Sequence, residues 1–81
     1  EAPFFYYRDK DKKEIDLLVV SDGIVYPLEC KKSASPSRDD GRHFSVLDNL
    51  KLQTGPGGVI CLADHSLPLS ATTRSIPVSE I

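Results

Sequence analysis

The sequence has 81 residues, of which 40% are hydrophobic and 27% charged, with a formal net charge of −2. Such a chain is one domain at most, too apolar for wholesale disorder, and limited to a single modest core, because at this size folding buries only about 60% of the unfolded surface or a little more. The mild acidity does not suggest an avid, nonspecific nucleic-acid binder, which usually shows a basic stripe, and it is neutral on a metal-dependent phosphodiesterase, whose cation supplies the positive charge.

In chain order, Phe4-Phe5-Tyr6-Tyr7-Arg8 is aromatic and β-favouring and reads as a strand. The charged run Asp9-Lys10-Asp11-Lys12-Lys13 suits an exposed turn. Residues 14–20 read as a second strand, with Ile15, Leu17 and Val19 on one face and Asp16, Leu18 and Val20 on the other. Asp22-Gly23 is the dipeptide favoured in a two-residue type I′ hairpin turn, and 24–31 form the third strand. Lys32 to Ser37 is loop by composition. Ser35 with Pro36, or Ser37 with Asp40 three residues on, suits a helix start. Phe44, Leu47 and Leu50 then fall three residues apart, which predicts a helix over about 38–53, weakened by Gly41.

Gly55-Pro56-Gly57-Gly58 ends that helix, and 59–63 is a short apolar run suited to a strand buried on both faces. Residues 64–75 read as loop or irregular edge structure, and Ile76-Pro77-Val78 as a last edge strand. The order gives a small α/β domain over 1–81: a mixed β-sheet made of an antiparallel three-strand meander, one crossover helix and a following strand. Cys30 and Cys61 each sit in an apolar run and are expected as buried thiols of a reducing, cytoplasmic compartment, with one disulfide between them as the alternative. No apolar run approaches the ~20 residues of a membrane span, so no membrane partner is expected. The chain opens on Glu1 and enters a strand at once, as an excerpt of a longer protein would.

The chemistry gathers on the hairpin. With Asp22-Gly23 as the loop, Ser21 faces Ile24, and counting outward sets Asp16 against Glu29 and Glu14 against Lys31. These four share one face; Leu28 and Cys30 point the other way. Two opposed carboxylates destabilise a ladder unless a cation, a shared proton or the Lys31 ammonium neutralises them. Mg²⁺ needs one or two carboxylates, so Asp16 and Glu29, with the Cys30 backbone carbonyl as a third oxygen, form a candidate metal site. Lys31 would then stabilise charge developing on a phosphodiester or orient a water. The competing arrangement is a plain surface ladder in which Lys31 pairs with Glu14 or Asp16. His43 and His65 lack metal-ligand spacing with the cysteines, and Arg38, Arg42 and Gln53 read as solvated helix positions that could reach a substrate backbone.

Phe5-Tyr6-Tyr7-Arg8-Asp9, Glu14-Ile15-Asp16-Leu17-Leu18 and Tyr26-Pro27-Leu28-Glu29-Cys30-Lys31-Lys32-Ser33, continued by Gly57-Gly58-Val59-Ile60-Cys61 and Ile76-Pro77-Val78, resemble an uncharacterised C-terminal domain of predicted prokaryotic AAA+-type P-loop ATPases. That domain is similar in turn to the PD-(D/E)xK nuclease-like superfamily, with its restriction-endonuclease-like αβββαβ core. The resemblance implies Asp16 and Glu29 as metal-binding acids and Lys31 as the catalytic lysine. It further implies Mg²⁺ as cofactor, nucleic acid as substrate, and an ATPase domain of the same polypeptide as partner. The noncatalytic alternative is a regulatory or protein-interaction module of that ATPase. The superfamily's first helix is expected before Phe4, and without it the 81 residues alone are expected to be inactive; they carry no ATP site of their own.

Overall fold

The computed structural model describes residues 4–81, so a helix preceding Phe4 lies outside the described residues. Five strands form one sheet in sequence order: β1 (Phe4–Arg8), β2 (Glu14–Ser21), β3 (Ile24–Cys30), β4 (Gly57–Cys61) and β5 (Thr73–Pro77). The first three make an antiparallel meander, and β3–β4 and β4–β5 are parallel. The mixed sheet, the meander and the edge position of the last strand follow the sequence expectation. The last strand starts earlier than expected, at Thr73. In the β2–β3 turn, Asp22 and Gly23 both take positive φ, 53° and 78°, as a type I′ turn requires. The hairpin register is the expected one, Ser21 opposite Ile24 and Leu17 opposite Leu28.

The crossover is not the expected α-helix over 38–53. It consists of two 3-10 segments, Arg38–Gly41 and Phe44–Leu50, closed by Lys51 in the left-handed conformation at φ 56°. The physical reason is visible in the spacing: residues three apart eclipse in a 3-10 helix, with three residues per turn, whereas an α-helix needs an alternating three-four repeat for a continuous stripe. Leu47 is fully buried, Phe44 half-buried, and Leu50 at the end of the row is exposed. A third 3-10 turn, Val78–Glu80, follows β5.

The alternation of β2 also departs from expectation. Phe5 faces Leu18 and Tyr7 faces Ile15, so two residues of β2, Asp16 and Leu17, stand against Tyr6 alone. This β-bulge reverses the facing of the strand's start, and Ile15 joins Leu18 on the buried side. Ile15, Leu18, Val25, Val46 and Leu47 form the core between the meander and the second 3-10 segment, with Tyr7, Val20 and Phe44 packed against it. Over β4 and β5 the same side is closed by the loop of 62–72. The fully buried Ser75 hydroxyl holds that loop by accepting from the Leu67 N–H at 2.9 Å and donating to the His65 carbonyl at 3.3 Å. Among the described residues no helix is long and apolar enough to cross a membrane.

Candidate metal-binding carboxylate pair

The bulge and the end of the hairpin ladder fall at the same place, and that is where the two acids meet. Backbone pairing of β2 with β3 stops at Leu17–Leu28. One step further the side chains take over the bonding. The Asp16 N–H donates to Glu29 Oε1 at 3.1 Å, and the Cys30 N–H donates to Asp16 Oδ2 at 2.9 Å. Each carboxylate is thus pinned by a backbone N–H of the neighbouring strand. No other side chain or backbone N–H among the described residues bonds the pair, and the two carboxyl groups lie close enough for a side-chain hydrogen bond between them, which also raises Glu29.

Asp16 is exposed and Glu29 half-buried. Burial pushes the Glu29 carboxyl above its ordinary value. The Asp16 N–H opposes this, the negative Asp16 carboxylate adds to it, and the nearby His43 opposes it. Glu29 and Asp16 therefore form a pair that favours a shared proton or a cation. Cys30, on the opposite face of the strand, is also pushed up, by burial and then by Asp16 and Glu29.

Lys31 is the residue whose placement changes most. Its ammonium pairs with Asp40 Oδ1 at 3.5 Å, and the Glu14 carboxylate expected opposite it instead meets Arg8 Nε at 3.3 Å and accepts from the Tyr6 hydroxyl at 2.9 Å. The bulge accounts for this: it turns the start of β2 toward β1, so Glu14 leaves the β3 side. Neither Glu14–Lys31 nor Asp16–Lys31 occurs as an ion pair among the described residues. The simple charge ladder is not formed, and Lys31 is not what neutralises the acid pair.

Cys30 is exposed, not buried as expected; only Cys61 is buried. The sheet face to which Cys30 points carries no covering layer among the described residues. His43 Nδ1 lies 3.2 Å from the Glu14 carbonyl, and Arg42 bonds to Asp39; His43 is near enough to Glu29 to act on its charge, and neither residue makes a hydrogen bond to the two acids. Arg38 and Arg42 line an open cleft of about 620 Å³ with Phe44, Asp48, Thr54 and Thr73, which does not include Asp16 or Glu29. Asp40 was legible only as the Ser37-x-x-Asp40 helix start; its second role beside Lys31 depends on where the crossover lands.

Among the described residues no three His, Cys, Asp or Glu side chains converge as a ligand set. Asp16 and Glu29 fit a hard cation at its minimum, two carboxylate oxygens with water completing the shell. They do not fit a closed all-protein cage.

The fold and the site together define a small mixed α/β domain with a carboxylate pair at the open end of a hairpin. The chain belongs to the family described as Domain of unknown function (DUF4143), which it matches over residues 1–81. It is similar to uncharacterized protein Rv2008c of Mycobacterium tuberculosis (strain ATCC 25618 / H37Rv) and to uncharacterized protein Mb2031c of Mycobacterium bovis (strain ATCC BAA-935 / AF2122/97). Each is 29% identical over 79 residues, covering 98% of this chain and 17% of the relative. The chain thus spans about 17% of the length of the curated relatives it matches. No solved structure gives a significant match.

Proposed function

We propose that this domain is a nuclease-like module acting on nucleic-acid phosphodiesters, joined in one polypeptide to an AAA+-type ATPase domain, with Asp16 and Glu29 holding Mg²⁺. The observation that carries the reading is the reciprocal anchoring of the two carboxylates, which brings them together on a site where burial disfavours two bare charges. A bound divalent cation would polarise a phosphodiester and lower the pKa of an attacking water. The chain's own contribution is to orient the cation through Asp16 and Glu29, offer the Cys30 carbonyl beside them, and present the Lys31 ammonium to developing phosphate charge.

The test is a titration of the protein with Mg²⁺ or Mn²⁺, followed through backbone amide signals. Shifts or broadening centred on Asp16, Glu29, Cys30 and Lys31, lost in Asp16→Asn, support the site. No response at millimolar metal overturns it. A second reading, a noncatalytic interaction module of the same ATPase, is favoured by the pairing of Lys31 with Asp40 and by the lack of a third ligand among the described residues. Metal-dependent cleavage of a labelled oligonucleotide by the full-length protein, abolished by Glu29→Gln, would exclude it.

A further inference from the structure

Asp40 is the least exposed carboxylate in an ion pair of this fold, its side chain 11% exposed against 51% for the lysine it meets. Its two oxygens are used separately. Oδ2 accepts the Ser37 N–H at 2.8 Å, closing the start of the first 3-10 segment, and Oδ1 lies 3.5 Å from Lys31 Nζ. The carboxylate is therefore oriented by the backbone before it meets the ammonium. Lys31 in turn is fixed at its root, because its N–H continues the β3–β4 ladder by donating to the Ile60 carbonyl at 2.8 Å. A four-carbon stem anchored only at its base would sample solvent; one held at both ends points its charge in one direction. Lys31 follows directly on β3, two residues after Glu29, so the tether holds its ammonium at the turn that leads from the strand into the crossover.

From this geometry we infer that Asp40 is the positioning residue for Lys31, fixing where its ammonium is presented and tying that position to the strand-to-crossover turn. The consequence for a reaction rests on the function proposed above; the tether itself does not. Asp40 also neutralises Lys31 in the absence of substrate, so an incoming phosphate must compete with it.

The test observes lysine ammonium protons directly in ¹⁵N-labelled protein at low temperature and mildly acidic pH. Lys32, adjacent in sequence and in no ion pair among the described residues, is the control. Lys31 ammonium exchange is expected to be about two- to fivefold slower than that of Lys32, the range an exposed ion pair supports. Asp40→Asn keeps an oxygen for the Ser37 N–H but loses the charge, so it should abolish the difference while the Ser37 amide stays protected. Equal exchange of the two lysines in the unaltered protein, or a slow Lys31 that survives Asp40→Asn, overturns the inference. Mn²⁺ broadening at Asp16 and Glu29 is read in the same samples. Its absence would sink the metal site alone, leaving the tether to be judged on the ammonium data.

Discussion

Glu29 is the residue at which the two demands on this surface conflict. Its carboxylate is needed to accept the Asp16 N–H, yet it sits half-buried against a like charge, and its pKa is raised chiefly by burial. For a carboxyl whose folded value lies above its unfolded value, the protonated form favours the folded state. That contribution is fully present below the unfolded value and is lost as pH rises through the folded one. Near pH 7 the unaltered protein has lost it. Glu29→Gln retains an oxygen acceptor for the Asp16 N–H without the charge. The variant is therefore expected to unfold at a higher temperature near pH 7, by less than about 1 kcal/mol given the exposure of the pair. The gap should close as pH falls below the carboxylate range. Thermal melts at pH 4 and pH 7 check this, and a gap that widens toward acid would refute the assignment. Millimolar Mg²⁺ should reverse the ordering near pH 7, because only the unaltered pair gains from binding.

At the level of elements, β4 shows how tightly the crossover is seated. A Cβ added to Gly57 would lie 2.6 Å from two carbons of the Phe44 ring, and the same ring is 3.1 Å from the Cβ position of Gly41. The ring occupies space that both glycines vacate, so moving it off one position is resisted at the other. Gly57→Ala is expected to destabilise the domain by about 1–3 kcal/mol through overpacking, measurable by urea unfolding. An unchanged midpoint would show that Phe44 is not held there.

The same elements show which features local chemistry reveals. The Asp22-Gly23 turn needs positive φ twice, and few dipeptides other than Asn-Gly or Asp-Gly tolerate it, so the turn and the Asp16–Glu29 proximity were readable from sequence alone. The bulge at Asp16–Leu17 was not, because it is a compromise between the β1 and β2 registers that neither strand displays by itself. The missed 3-10 geometry has a similar origin. Phe44, Leu47 and Leu50 span two turns, over which an uninterrupted three-residue spacing fits a 3-10 helix better than an α-helix, but the seat of the Phe44 ring beside Gly41 and Gly57 joins different elements and is not displayed by the segment itself. Asp40 meets Lys31 through the turn of the loop that leads from β3 into the crossover, and no sequence spacing encodes it.

At the scale of the molecule, the described residues cover the sheet on one side only. Leu17, Val19, Tyr26, Leu28, Ile60 and Ile76 stand on the other side, each only half-buried, and the added-Cβ position at Gly58 touches Leu28 and Ile76 there. A half-exposed apolar face of this kind gains by being covered, at about 25 cal/mol for each Å² removed from water. The curated relatives are several times longer than this chain. Cys30 opens onto the same face and provides a reporter for it. In the 81-residue chain, Cys30 is expected to react with a thiol reagent while buried Cys61 does not. It should react more slowly near pH 7 than an unstructured cysteine, because burial and the neighbouring acids raise its pKa, and faster as pH increases. In the longer polypeptide proposed above the same thiol should be protected, since a segment that covers Leu28 and Ile60 also covers Cys30. Counting labelled thiols by mass after timed exposure of both forms decides the matter. Equal Cys30 labelling in the two would mean that the apolar face stays open in the whole protein.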